Sequence, residues 1–279
     1  LMRYASQTDD LPLQYKAIEV IYKLMNSSID SIEEFIYWQG MELFIQISYN
    51  ENRSIKLIGY YMIYKSINTE NGWKAFVEGK FIYNLIDSFQ ILINIDQSEI
   101  FKSRYLQKSL EIIASTFRLF LDRFDPALFP GEVAQNILVL LLQSLNINYE
   151  AFYDILVVSA TSVVYRMGDE GNRIILETDA LSSIMFEFDS IPNDKLIHLI
   201  NLLRIIFSQR NLDYKNQLFQ RVPQKWLIKH FILADINSEL FIYTLKTICN
   251  CFLCGMSTEW IIDSDSMSKF NFIFEIKQK

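Results

Sequence analysis

Turn formers are scarce in this chain, with 8 glycines and 5 prolines in 279 residues. A sandwich or barrel of many short strands needs far more turns than that, so both are excluded. Histidine is almost missing, at 2, and cysteine stops at 3. So few thiols in a chain this size point to a reducing compartment, expected to be the cytoplasm with the nucleus as the alternative. Positive charge is short as well: Lys and Arg total 26 against 33 Asp and Glu, a net charge of −7 at pH 7. Non-specific nucleic-acid and anionic-membrane binding both require a basic footprint, so neither partner is expected. The longest aliphatic run, Ile137–Leu142, falls far short of a membrane span. The opening LMRYASQTDD lacks the apolar core of a signal peptide. Because the sequence opens on Leu and stops within the apolar pattern FNFIFEIKQK, it is expected to be a segment of a longer protein.

What is abundant is apolar mass. Hydrophobic residues make up 51% of the chain and aromatics 14%, which excludes disorder and implies an extensive core. Ile and Phe favour strands, yet here they recur at three- and four-residue spacing rather than alternating, so the period predicts helices.

The helices repeat. In residues 33–90 one pattern occurs twice: a helical start (EEFIYWQ, then NGWKAFVE), a glycine (Gly40, then Gly79) and a second apolar-periodic segment (MELFIQI, then KFIYNLI). Between the copies lies a longer helix, SIKLIGYYMIYKSI, with Gly59 amid large residues. A short helix, a second helix and a long third helix make one unit, and such units stack into a solenoid.

The same reading extends along the chain. Residues 1–10 are a frayed lead-in, and residues 1–29 form an incomplete first repeat with Leu13, Ala17, Val20, Ile21 and Leu24 on one face. Asp30 or Ser31 is expected to cap the next helix. Complete repeats are expected at 30–70, 71–124, 125–168, 169–210 and 211–256, with a truncated one at 257–279. In the second, a single long third helix is expected from about Ser98 to Phe124 after the irregular ILINIDQ. In the third, DPALFPG reads as the first helix, with Pro126 in its first turn and Pro130–Gly131 breaking it. The residues closing successive first helices are Gly40, Gly79, Gly131, Asp179, Arg221 and Asp265. Their spacings of 39, 52, 48, 42 and 44 fit two- or three-helix repeats with one insertion.

Over roughly residues 11–279 the chain resembles the armadillo-repeat family. Gly40, Gly79 and Gly131 match the glycine that ends the family's short first helix, and Pro223 matches the proline that opens the second. Gly59, Ser109, Ala160 and Thr244 fit the small slot on the third helix. HEAT repeats, built of two helices, are the neighbouring alternative. The resemblance implies an all-α fold, a right-handed α-α superhelix of about six repeats with incomplete ends. It also implies a non-enzymatic scaffold or adaptor whose partner is a protein or peptide segment.

The constellations that could carry chemistry have plainer readings. Cys249, Cys251 and Cys254 lie within one helix, where the first two point roughly 200° apart at about 100° per residue, and no histidine is near. They read as small packing residues rather than a zinc site, which needs converging ligands. His198 and His230 stand beside apolar residues without a nucleophile or orienting carboxylate. Asp169, Glu170 and Asp179 could be paired carboxylates, but the first two read as a helix cap and a first-turn acid. GWKAFVEGK has the wrong glycine spacing for a phosphate loop. No enzyme motif emerges, and no cofactor, metal or small-molecule substrate is expected. Trp38, Trp73, Trp226 and Trp260 recur near the junction of first and second helices and read as packing residues, with exposed anchors as the alternative.

In the family, the third helices line a concave face that binds extended peptides through Trp and Asn side chains. The resemblance carries those slots onto Tyr61 with Lys65, Glu111 with Ser115, Ser162 with Arg166, Arg204 with Ser208, and Lys246 with Asn250. Asn250 alone keeps the family's residue. A nuclear-import adaptor would need the whole Trp and Asn ladder plus acids. Four cations against one acid point instead to a partly acidic peptide, with ordinary solvated helix charges as the alternative. Two further readings stay open: a structural or regulatory arm of a larger cytoskeletal or transport protein, and an enzyme with an unfamiliar site.

Overall fold

The structure, a computed structural model, describes residues 1–6, 10–186 and 193–253. Among these residues every regular element is an α-helix. The sixth repeat expected from sequence, with Cys254, Trp260 and Asp265, lies outside the described residues. The chain divides into two compact units, the first made of Leu1–Arg123 with Gln143–Ile155, the second of Phe124–Leu142 with the chain from Leu156 on.

The first unit opens with α1 (Met2–Ser6) and α2 (Leu11–Met25). A triplet follows, α3 (Ile29–Tyr37), α4 (Gly40–Ser48) and α5 (Arg53–Ser66), then α6 (Glu70–Glu78), α7 (Ile82–Ile93), α8 (Gln97–Lys102) and α9 (Arg104–Asp122). Like helices pack on like: α5 lies against both α2 and α9, and α3 against α6. Within the triplet α4 packs on α5, and α7 packs on α9 in the next set. A helix of this kind buries one stripe and needs its neighbours to cover it.

Several details differ from the sequence expectation. The buried stripe of α2 is Ala17, Ile18, Ile21 and Met25, whereas Leu13, Val20 and Leu24 stay exposed. Ser28 caps α3, its hydroxyl accepting from the Ser31 amide at 3.1 Å, so neither Asp30 nor Ser31 is the cap. Helix α7 continues to Ile93, well into ILINIDQ. The expected long third helix is cut at Ser103, which ends α8 and caps α9 by accepting from Leu106. An extended residue with a short hydroxyl side chain stops one helix and starts another.

The second unit carries α12 (Asp169–Glu177), α13 (Ala180–Met185), α14 (Asn193–Ser208), α15 (Leu212–Phe219), α16 (Gln224–Leu233) and α17 (Glu239–Leu253). Helix α14 packs extensively on α17, and α12 on α15. Two helices, α10 (Gly131–Leu145) and α11 (Tyr149–Met167), precede them. The first helix expected at DPALFPG is missing. Asp125 there accepts from the Ala127 amide at 2.9 Å and its carbonyl takes the amides of Leu128 and Phe129, which makes a turn. Gly131 therefore opens α10 instead of closing a helix.

The junction between first and second helices has a recurring geometry. Gln39, Lys80 and Asp179 are left-handed, with φ of 62°, 51° and 55°, and each sits between a short helix and its successor. Glycine does not take that strained place; at Gly40 it takes the next one. A Cβ there would lie 2.4 Å from the Phe35 carbonyl oxygen, so the helices meet too closely for a side chain. The small slot of the third helices is equally physical. Gly59, Ser109, Ala160 and Thr244 are all buried, and a Cβ on Gly59 would meet the Ser48 backbone nitrogen at 2.5 Å.

Candidate functional site

The sequence-derived slots fall on the helices they were expected to occupy, and each unit presents its own set. In the first unit Tyr61 stands on α5 with its ring edge-on to Tyr22 of α2, the centroids 5.2 Å apart. Its hydroxyl reaches the Asn26 side-chain oxygen at 3.5 Å. Lys65, one turn along, places its ammonium over the same ring, 5.4 Å from the centroid. On α9 the acid of the set, Glu111, is already paired with Lys108, and Ser115 donates its hydroxyl to the Glu111 carbonyl at 2.8 Å. The Lys65 cation has no carboxylate partner among the described residues.

In the second unit Arg166 is exposed at the end of α11, its guanidinium 5.8 Å from the Tyr165 ring. Ser162, four residues earlier, is only 6% exposed, so its hydroxyl lies beneath the surface rather than on it. The centre of the arrangement is Arg204. Its guanidinium lies over the ring of Tyr243 on the neighbouring helix, 5.2 Å from the centroid. Nε and Nη2 donate to the Asn201 side-chain oxygen at 3.1 and 2.8 Å. The Arg204 carbonyl accepts from the Asn250 amide at 3.2 Å. Asn250 thus ties α17 to α14. Ser208 gives its hydroxyl to the Ile205 carbonyl at 2.8 Å. Lys246 is exposed and falls between Tyr243 and Asn250 on one stripe of α17.

Arg166, Arg204 and Lys246 also have no carboxylate partner among the described residues, whereas Arg53, Arg173 and Arg221 each pair with an acid elsewhere. Three of the four slot cations lean on a tyrosine instead. Nothing in the sequence placed Tyr243 against Arg204, since the contact joins two helices across 39 residues of chain.

Cys249 is exposed and Cys251 buried, so they do not converge, and among the described residues no group of His, Cys, Asp or Glu could hold a metal ion. His230 packs edge-on to Trp226 at 4.7 Å, and His198 is exposed. Asp169 does not cap its own helix. Its carboxylate accepts from the Arg210 and Asn211 amides at 3.0 and 2.8 Å and so ties α12 to the start of α15. Glu170 pairs with Arg173, and Asp179 with Arg221. No helix among the described residues is long and apolar enough to cross a membrane.

Two tryptophans depart from the packing expectation in degree. Trp226 is buried and Trp73 half-buried beneath Arg123, but Trp38 is 62% exposed. It lines an open cleft of about 600 Å³ together with Met2, Leu24 and Phe35, and Arg3 and Glu34 also face it.

No protein-family model matches the sequence, and no curated protein matches it. Solved structures do. The designed armadillo repeat protein YIII(Dq)4CqI superposes with a TM-score of 0.68 at 12% identity, covering 89% of this chain and 98% of its own. Computationally designed armadillo repeat proteins for modular peptide recognition give a TM-score of 0.70, again at 12% identity, over 89% of this chain and 98% of theirs. The fold is the armadillo-repeat solenoid. A third armadillo design, YIII(Dq.V1)4CPAF, was solved in complex with the peptide (KR)4; it has a TM-score of 0.68 at 12% identity and covers 89% of this chain and 97% of its own.

Proposed function

We propose that the protein is a non-enzymatic scaffold whose two units each use their third helices to bind an extended, acidic peptide segment. The observation that carries this reading is the set of Lys65, Arg166, Arg204 and Lys246, cations on armadillo third helices that have no acid partner among the described residues. Such charges steer an oppositely charged segment and fix its register, while the tyrosines beneath them supply apolar contact. One armadillo design of the same fold holds the basic peptide (KR)4. The cations of this chain would repel such a ligand, so the preference argued here has the opposite sign.

The test uses fluorescein-labelled peptides of alternating Glu-Ala and alternating Lys-Ala, titrated with the protein and followed by anisotropy. The Glu-Ala peptide binds, and binding weakens from low to physiological salt because exposed charges are screened. The triple variant K65E/R166E/K246E loses the Glu-Ala peptide. Equal affinity for the two peptides, or an unchanged salt response in the triple variant, overturns the proposal.

A further inference from the structure

Arg204 differs from the other slot cations in being held at its carbonyl, on its guanidinium face and along one guanidinium edge. Its carbonyl is bonded to Asn250, its guanidinium is stacked on Tyr243, and the edge formed by Nε and Nη2 is occupied by the Asn201 oxygen. All three partners are neutral, so the positive charge is retained. The edge formed by Nη1 and the second N–H of Nη2 is not used by any of these contacts. A guanidinium fixed in this way has surrendered its side-chain entropy before any ligand arrives. Elsewhere Arg173 shows the contrary arrangement, with Glu170 and Glu177 both on its fork.

We infer that Arg204 is the specificity-determining residue of the second unit, receiving one side-chain carboxylate, from an Asp or Glu of the bound segment, end-on across Nη1 and Nη2. A planar group with two acceptor oxygens matches that edge in two parallel bonds. Asn201 and Tyr243 are positioning residues, which aim the fork without touching the ligand. Lys246, exposed one turn from Tyr243, adds attraction without geometry. This inference rests on the peptide-binding reading above.

The experiment is selection of random linear peptides, displayed on their own messenger RNA, against the wild type and against Arg204→Glu, Arg204→Gln and Arg204→Lys. Circular dichroism melts establish that each variant is folded. Wild-type peptides are expected to share one fixed Asp or Glu position among their acids. Replacing that acid by its amide weakens binding to the wild type about tenfold, as loss of a charge-assisted pair does. The same replacement changes binding to Arg204→Gln less than twofold, because the partner is already gone. Arg204→Glu selects Lys or Arg at that position and leaves the other preferences in place. Arg204→Lys keeps the charge but loses the fork, so the position keeps only a weakened acid preference.

Acidic peptides whose pattern ignores every substitution at Arg204 overturn this assignment and leave the scaffold reading standing. Recovery of no peptide, or of peptides without acids, by any form of the protein overturns both. Tighter binding when the fixed acid is replaced by phosphoserine overturns the carboxylate in favour of a phosphoryl group.

Discussion

The fully buried side chain of Asn172 donates its amide to the carbonyl oxygen of Ile206 at 3.0 Å, binding the first helix of one triplet to the far end of its third. The Ile206 carbonyl lies near the C-terminus of α14 and also accepts from the Gln209 amide at 3.3 Å, so Asn172 supplies its second hydrogen bond. One buried hydrogen bond contributes about 0.5–1.5 kcal/mol net. Asn172→Ala should therefore lower the unfolding free energy by about that amount in urea titrations. Asn172→Asp, of nearly the same shape, removes the donor and should be at least as damaging. Should the aspartate variant match the wild type, the bond contributes nothing.

Gly59 gives the second prediction. Helix propensity alone favours Gly→Ala by about 1 kcal/mol. Packing opposes it here, because the new methyl group would sit 2.5 Å from Ser48 N and 2.8 Å from Ser48 Cα, backbone atoms that cannot swing away. Gly59→Ala should destabilise by about 1–3 kcal/mol and lower the melting temperature. Ser109 occupies the same slot with a side chain already present, so Ser109→Ala should stay within about 1 kcal/mol of the wild type. Equal melting points for Gly59→Ala and the wild type would refute the close approach.

These two residues also mark what the sequence reveals and what it hides. The small slot was legible because backbone contact between helices demands a small side chain, and Gly59, Ser109, Ala160 and Thr244 recur at matching places among large neighbours. The third-helix residues were assignable to their helices from the sequence, since a helix fixes which residues share a stripe. Their contacts were not. Arg204 meets Tyr243 and Asn250 only once α14 lies on α17, and no periodicity within either helix encodes that register. Local hydrogen bonds defeated the pattern twice more. The Asp125 side chain and carbonyl turned a proline-bearing stretch into a turn, and Ser103 divided one expected helix into two. Trp38 was misjudged because residues at the end of a helix no longer obey its face. It caps α3 immediately before left-handed Gln39, which carries the indole out of the stripe.

Acid should loosen one surface cluster in a defined direction. A side-chain hydrogen bond from Arg173 holds the Glu170 carboxyl below its usual range, outweighing the opposing effect of partial burial. The folded state therefore prefers the charged carboxylate. Its stabilising contribution is complete above the ordinary carboxylate pKa and fades as the pH falls through the lower folded value. Following the Glu170 side-chain carbonyl carbon by NMR should give a midpoint below that of a free glutamate. Arg173→Gln should raise the midpoint toward the free value. The stability change in that variant should stay within about 1 kcal/mol, because the pair is largely solvated. An unmoved midpoint would mean that the Arg173 contact does not persist in solution.

Trp38 and Trp226 should be separable by their solvent exposure. Trp38 ends α3 with its indole 62% exposed and edge-on to Tyr37 at 5.2 Å, whereas Trp226 is 3% exposed and packed against His230. Indole emission shifts to longer wavelength in water, and a small neutral quencher such as acrylamide reaches an exposed ring far more often than a buried one. Trp38→Phe should remove a red-shifted, readily quenched component of the emission, and Trp226→Phe should remove a protected component. Stability should move differently too. Trp38→Phe should stay within about 0.5 kcal/mol of the wild type, as exposed substitutions usually do. Trp226→Ala should cost about 3–5 kcal/mol through the cavity it leaves. If Trp38→Phe instead removed protected emission, the side chain would be covered in solution, and the open cleft beside Leu24 and Phe35 would already be filled.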